Sequence, residues 1–243
     1  MRAEGTARTL HRRRTGARVT SLRWIWLIAR KDLRAEFRSG GRIAAMLAFS
    51  VLACFLFSFS LDRTLVSGRE IASGLLWLTV LFASISGAGR TFDSEEEDGA
   101  FRHLLLSPVS RHSIFLGKAA ANLVAVALVA VFTLFALTLF FAIASPGPVV
   151  LHAAILLPGT IGLAAAGTFF GLISRQSNLG DSLLPALTFP VLVPLVFFGA
   201  TASSRVFLDR PWAEISGSAR LLWAFAIGFV AVGSLLFRYL TEE

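Results

Sequence analysis

The charged residues divide the chain into long apolar runs joined by short polar segments. Five runs contain no Asp, Glu, Lys or Arg, and they cover residues 43–61, 71–89, 119–174, 182–204 and 221–237. A transmembrane helix needs about 20 mostly apolar residues, so four of the runs each fit one helix. The third run is long enough for two helices, which the turn Ser145-Pro146-Gly147-Pro148 separates. The pattern therefore predicts six transmembrane helices, at about 43–61, 71–89, 119–144, 149–173, 183–201 and 221–237.

The composition excludes a soluble globular protein. Of the 243 residues, 55% are hydrophobic and only 16% are charged, and the mean hydropathy is +0.71. Soluble domains carry roughly 25% charged residues, so this chain has too little polar surface to cover a globule. The fold class that we predict is an all-α polytopic membrane protein with six transmembrane helices.

The distribution of basic residues predicts the orientation in the membrane. The net charge is +8, and 18 of the 23 Arg and Lys residues lie in the segments 1–42, 90–118, 174–182 and 238–243. Basic residues favour the cytoplasmic side, so we expect both termini and these segments to be cytoplasmic. The basic excess is explained by this orientation, and we expect no nucleic-acid partner.

The N-terminal segment before the first span has two parts. Residues 1–20 are rich in Arg, Thr and Gly, and this composition predicts a disordered basic arm. Residues 21–39 alternate apolar and basic positions at helical spacing, and Ser39-Gly40-Gly41 ends the pattern. This predicts an interfacial amphipathic helix in contact with membrane lipid. The alternative is a soluble amphipathic helix that packs on a partner.

The longest cytoplasmic connection, residues 90–118, predicts a short helix between the second and third spans. Ser94 and Glu97 have the spacing of a capping box. Phe101, Leu104 and Leu105 share one helix face, and Ser107-Pro108 ends the helix. The spacing favours equally a connector anchored to the lipid surface and a docking element for a soluble partner.

Several of these motifs resemble a known family. The acidic stretch with Asp98-Gly99, the Leu104–Pro108 sequence Leu-Leu-Leu-Ser-Pro and a Gly-Lys before a span are similar to the coupling region of ABC-2-type permeases. The match is closer to the cytochrome c maturation protein B (CcmB) family, which also has an Ala-Arg-Lys-Asp-Leu-Arg stretch, here 29–34, and a proline-rich fifth span. This resemblance covers roughly residues 22–240.

The resemblance implies a permease subunit of an ABC transporter in the bacterial inner membrane, with haem as a candidate cargo. It implies as partners a separate ATPase subunit that consumes ATP, other cytochrome c maturation membrane subunits and a haem chaperone. The 94–108 helix would then be the coupling helix, where the ATPase docks. The docking residues would be Glu95, Glu96, Glu97, Asp98, Gly99, Phe101, His103, Leu104, Leu105 and Pro108. The rival functions are an ABC-2-type exporter of a drug, lipid or glycan, and a non-transporting membrane scaffold.

Prolines and glycines mark two of the predicted spans. Pro185, Pro190 and Pro194 remove three backbone donors from the fifth span and make it a candidate hinge. Gly167 and Gly171 form a GxxxG motif in the fourth span, which permits close helix packing. We favour packing inside one subunit, and a homodimer seam is the alternative.

The remaining candidates favour a protein that is not an enzyme and binds no cofactor or metal itself. No predicted span has an acidic or basic residue in its interior, although ion pathways usually require one. His152 is interpreted as a polar anchor rather than a haem ligand, and Cys54 as a packing residue. Gly117-Lys118 is not a phosphate-binding loop, because no glycine stands five positions earlier and Ala119 follows the lysine.

Overall fold

The computed structural model describes residues 3–60, 67–89, 91, 106–107, 109–176 and 183–241, with side chains described from residue 21 onward except at 175–187. Within this part of the chain the secondary structure is entirely α-helical. The helices are α1 (Ala3–Ser39), α2 (Gly41–Ser60), α3 (Gly68–Gly89), α4 (Arg111–Phe140), α5 (Val149–Gln176), α6 (Leu183–Phe207) and α7 (Trp212–Leu240). Six of them, α2 to α7, are long and apolar enough to span a membrane. The predicted fold class is confirmed.

The helix ends differ from the predicted spans where charged residues lie at the membrane boundary. α4 begins at Arg111 rather than near residue 119, and α7 begins at Trp212 rather than near residue 221. The connection that the fifth and sixth predicted spans leave between them, residues 202–220, is therefore too long, because only residues 208–211 separate α6 from α7. A helix satisfies its backbone internally, so it continues past the apolar layer until a turn signal ends it. Here the signals are Asp209, with a φ of 55°, and Pro211 at the N-cap of α7.

The N-terminal helix is longer than the sequence predicts. α1 begins at Ala3, where a disordered arm was expected, and it ends at Ser39 as predicted. Residues 3–20 contain no proline, and their Ala, Arg and Leu residues favour a helix, whereas Gly5 and Gly16 weaken it without forcing a break. Gly40, with a φ of +64°, then makes the corner between α1 and α2.

Two helices, α3 and α5, lie at the centre of the bundle. α5 packs against α3, α4, α6 and α7, and α3 also contacts α2 and α6. Trp77 of α3 is buried where α3, α5 and α6 meet, and its indole Nε1 donates a hydrogen bond to Ser203 Oγ of α6 at 2.9 Å. Gly159 of α5 and Gly199 of α6 both lie against this ring. A Cβ on Gly159 would stand 1.9 Å from the nearest indole atom, and a Cβ on Gly199 would stand 2.4 Å from it. The indole therefore fills a slot that only glycine leaves open.

The glycines of α5 are used inside the chain. A Cβ on Gly162 would meet Leu195 of α6 at 2.3 Å, and one on Gly167 would meet Ala88 of α3 at 3.2 Å. Both glycines are buried in the bundle. These contacts agree with packing within one subunit, which the sequence favoured.

Hydrogen bonds between polar side chains join the apolar helices. Thr133 Oγ1 of α4 donates to Ser50 Oγ of α2 at 3.1 Å. Ser58 Oγ of α2 donates to the carbonyl of Phe140 at 3.0 Å. Such bonds stabilise helix pairs in a membrane. An apolar helix surface there packs almost as well against lipid tails as against another helix, so apolar contact alone drives little association.

His152 and Cys54 take structural positions. His152 Nε2 donates to the carbonyl of Pro146 at 2.7 Å, and its ring packs on Phe207. This contact ties the first turn of α5 to the Pro146–Pro148 turn, in agreement with the predicted polar anchor. Cys54 is buried in the main apolar core.

The prolines do not interrupt α6. Pro190 and Pro194 lie inside the helix, whereas Pro185 lies in its first turn. The first four amides of a helix have no intrahelical acceptor, so α6 loses two internal hydrogen bonds rather than the predicted three. Whether α6 acts as a hinge stays a prediction. A further proline, Pro158, lies inside α5.

Candidate functional site

Charged and polar side chains converge at the end of the bundle where α1, α2, α3 and α4 meet. They are Asp32 and Glu36 of α1, Arg42 of α2, Thr91 after α3 and Lys118 of α4. We call these five residues the basal cluster. They line a cavity of about 330 Å³, and the two acidic and two basic groups balance in charge.

A close approach of α1 to α4 brings the cluster together. A Cβ on Gly117 would lie 2.7 Å from Ile28 Cβ and 3.1 Å from the Ile25 carbonyl oxygen. Glycine at this position therefore allows α1 to contact the backbone of α4. Ile28 and Ala29 are buried in this contact, and the next turn of α1 carries Asp32 to Lys118.

Lys118 is the most buried charged residue of the cluster. Its side chain is 0% exposed, and its Nζ lies 3.4 Å from Asp32 Oδ2 and 3.4 Å from the carbonyl oxygen of Thr91. It stands seven residues after the start of α4, which places it about 10 Å along the helix axis. An ammonium ion at such a position needs partners, because its desolvation costs several kcal/mol. Lys118 lies immediately before the uncharged run that begins at residue 119, so the expectation that no predicted span carries an interior charge stays a prediction.

Glu36 fixes the corner between α1 and α2. Its Oε1 accepts a hydrogen bond from the backbone N–H of Ile43 at 3.0 Å, and its Oε2 lies 2.8 Å from Arg42 Nε. Ile43 is the third residue of α2, where a backbone donor has no partner within the helix. Glu36 thus caps α2 from the preceding helix and pairs with its first cation.

Thr91 accepts hydrogen bonds from both cations of the cluster. The Nη1 of Arg42 donates to Thr91 Oγ1 at 3.3 Å, and Lys118 Nζ donates to its carbonyl. Thr91 is the last described residue before the segment 92–105. The base of this connection is therefore held by α2 and α4 together.

Asn122 forms the inner wall of the cavity, one turn beyond Lys118. Its Nδ2 donates to the carbonyl of Ala164 at 3.2 Å, and its Oδ1 has no hydrogen-bond partner. The residue is 1% exposed. A polar wall therefore extends from the basal cluster into the apolar bundle.

The predicted docking residues from Glu95 to Pro108 lie outside the described residues. Their role as a docking site stays a prediction. Leu106, which is described, is exposed, and Val109 is buried against Ile114 and Phe115 in a smaller apolar core. In the described part of the chain no group of three His, Cys, Asp or Glu side chains could hold a metal ion.

Sequence reasoning missed the basal cluster. Two features of the sequence could have indicated it. Arg42 and Lys118 each stand immediately before an uncharged run, and Asp32 and Glu36 are the only acidic residues of the predicted helix 21–39. Isolated charges at the start of a span are usually interpreted as orientation signals. Their mutual contact only follows from the docking of α1 on α4.

The exposed surface of α1 is divided into two stripes. Leu22, Trp26 and Phe37 are exposed apolar residues on one side of the docked face. Arg23, Arg30, Arg34 and Arg38 are exposed on the next side. A helix in the membrane surface requires this arrangement, and the interfacial position of α1 stays a prediction.

Comparison with known proteins places the chain in a family. The family model described as CcmB protein matches residues 23–238. Heme exporter protein B of Rhodobacter capsulatus is 32% identical over 194 residues, which is 77% of this chain and 87% of that protein. Heme exporter protein B of Paracoccus denitrificans is 30% identical over 175 residues, or 72% of this chain and 80% of that protein. The matched range contains five of the six spanning helices, all but the last two residues of α7, and the whole basal cluster, and the chain belongs to the CcmB family.

Proposed function

We propose that this chain is the membrane permease subunit of an ABC-type haem exporter that serves cytochrome c maturation. The single observation that carries the proposal is the family match over residues 23–238, together with relatives named Heme exporter protein B that are matched over most of their length. Six spanning helices joined by short connections fit a permease. Loss of cytochrome c maturation on deletion of the gene, and its recovery with the intact gene, is the test.

A separate ATPase subunit supplies the energy in this proposal. Lys118 follows a glycine, as the lysine of a phosphate-binding loop does, but it lies buried inside α4 and pairs with Asp32. A phosphate-binding lysine stands in a glycine-rich loop before a helix. Lys118 therefore contributes to the fold and not to nucleotide binding.

The coupling segment 94–108 is the proposed dock for this ATPase. It connects α3 to α4, and its two flanks lie at the end of the bundle that carries the basal cluster. On the downstream flank Ser110 caps α4 by accepting a hydrogen bond from the backbone N–H of Ser113 at 3.2 Å. A push on this segment would therefore act directly on the ends of two spanning helices.

Replacing Leu104 and Leu105 with Asp is expected to prevent co-purification of the ATPase. The predicted helix presents these leucines on its apolar face, and buried carboxylates cost far more than buried leucines. The measurement is a pull-down of the co-expressed ATPase from mild detergent. The control is Leu208→Asp, which changes an exposed leucine at the opposite end of the bundle. ATPase retained by the double variant at the wild-type level would contradict docking at this segment.

We place the protein in the bacterial inner membrane with both termini in the cytoplasm, because the basic residues favour this orientation. In intact spheroplasts a membrane-impermeant maleimide is expected to label Asp209→Cys and not Ser39→Cys. Both side chains are exposed, at opposite ends of the bundle. The native Cys54 is buried and serves as the unlabelled background. Labelling of Ser39→Cys and not of Asp209→Cys would contradict this orientation and show that the termini lie outside the cytoplasm.

The other proposed partners are the remaining membrane subunits of the maturation system, a haem chaperone outside the cytoplasm, and membrane lipid around α1. Their support is the family membership and the exposed apolar stripe of α1. Haem is the proposed cargo of the assembled complex, with ATP consumed by the partner subunit.

A further inference from the structure

The basal cluster joins four parts of the chain through buried charges. Lys118 of α4 contacts Asp32 of α1 and the backbone of Thr91, while Arg42 of α2 contacts Glu36 of α1 and the side chain of Thr91. Both cations are buried, with Arg42 9% and Lys118 0% exposed. The two ion pairs therefore meet at the one residue from which the connection 92–105 departs.

We propose that the basal cluster transmits movement of the 94–108 segment to α1, α2 and α4, with Lys118 as its central positioning residue. This rests on the proposed function, in which that segment receives the stroke of an ATPase. Lys118 and Arg42 would keep Thr91, α1 and the starts of two spans moving as one body. Without them, a push on the segment would act on α3 and α4 through the chain alone and would not reach α1 and α2.

The physical argument is the cost of separating buried charges. Charges in a region of low dielectric attract each other much more strongly than charges in water, and an ion that leaves its partner there is not compensated by solvent. Thr91 accepts a charge-assisted hydrogen bond from each cation, and such bonds are stronger than neutral ones. A displacement of Thr91 therefore favours a concerted shift of Lys118 and Arg42, which stay paired with Asp32 and Glu36, over loss of these two hydrogen bonds. Through Asp32 and Glu36 the same shift reaches α1, which has no direct chain connection to the coupling segment.

The cavity beside the cluster gives the shift room. It has a volume of about 330 Å³ and is bounded on its inner side by Asn122, whose Oδ1 is unpartnered. Close-packed interiors move between discrete arrangements and do not deform continuously. An open polar space next to Lys118 permits a second position for the ammonium group.

The test uses the full complex of this chain with its ATPase, reconstituted in lipid nanodiscs. Lys118→Met is expected to keep the ATPase bound but to lower the ATPase rate of the complex about tenfold, the size of a typical coupling between sites. Lys118→Arg retains the charge and is expected to recover at least half of the rate. Arg220→Met removes an exposed cation on α7 and is expected to leave the rate unchanged.

A second variant covers the case in which Lys118→Met does not fold. Thr91→Val removes the hydroxyl that accepts from Arg42 and keeps the shape of the side chain, so the rate should fall severalfold in a folded complex. Wild-type ATPase rates in both variants would overturn the proposal. If Lys118→Met does not fold, a wild-type rate in Thr91→Val alone would overturn it. So would loss of ATPase binding in Lys118→Met, because Lys118 would then belong to the dock. Failure of the proposed dock is distinguished by the Leu104→Asp, Leu105→Asp pull-down, which does not depend on Lys118.

Discussion

Gly159→Leu is expected to prevent assembly of the six-helix bundle. A Cβ at this position would lie 1.9 Å from Cη2 of Trp77, and the backbone of α6 at Gly199 also lies against the indole, which limits its freedom to move. The ring is also held by its hydrogen bond to Ser203. Overpacking a core costs about 1–3 kcal/mol when neighbours can adjust and more when they cannot. We therefore expect low yield and an aggregated elution profile, measured by size-exclusion chromatography of the detergent-purified protein.

The matched control for this substitution is Gly74→Leu in α3. Gly74 is in a spanning helix, and a Cβ there would meet no atom within 4 Å. The same change of residue should leave yield and Tm close to those of the wild type. The double variant Gly159→Leu with Trp77→Ala removes the clashing ring and should recover part of the yield. A wild-type profile for Gly159→Leu alone would show that Trp77 does not occupy the glycine slot.

Gly117→Leu is expected to separate α1 from the bundle. The new side chain would clash with Ile28 Cβ, 2.7 Å from its first carbon, and with the Ile25 carbonyl. Moving α1 away takes Asp32 from Lys118, and breaking a buried ion pair costs about 3–5 kcal/mol. The α1 segment should then be cut rapidly by trypsin at its exposed arginines while α2 to α7 stay intact.

Proteolysis of the wild type and of Gly228→Leu gives the comparison for this experiment. Gly228 lies in α7, and a Cβ there would meet no atom within 4 Å. Both proteins should keep α1 docked and resist cleavage. Equal cleavage rates for Gly117→Leu and the wild type would mean that α1 does not depend on this close approach.

The fold could be predicted well from the sequence because the lipid bilayer imposes a simple rule on the composition of each spanning helix. Each spanning helix must be apolar over about 20 residues, and the uncharged runs located all six helices. The ends were less predictable, since charged residues such as Arg205 and Glu214 leave the apolar layer without ending a helix. In the structure Arg205 donates to the carbonyl of Glu214, so these residues join the tips of α6 and α7.

The basal cluster could not be predicted, because its members come from separate parts of the chain. Asp32 and Lys118 are 86 residues apart, and no local pattern relates them. The Ala-Arg-Lys-Asp-Leu-Arg stretch and the Gly-Lys pair were recognised separately as family motifs. Their contact depends on the absence of a side chain at Gly117, which only the packed structure makes visible.

The ion pair between Asp32 and Lys118 also bears on how the protein enters the membrane. Synthesis runs from the N-terminus, so the carboxylate on α1 has left the ribosome long before the lysine of α4 is made. Lys118 lies near the start of α4, where burial of its ammonium group still requires a partner. The carboxylate of α1 is therefore already present when the lysine is made, and pairing with it lowers the cost of burying this ammonium group at the start of α4.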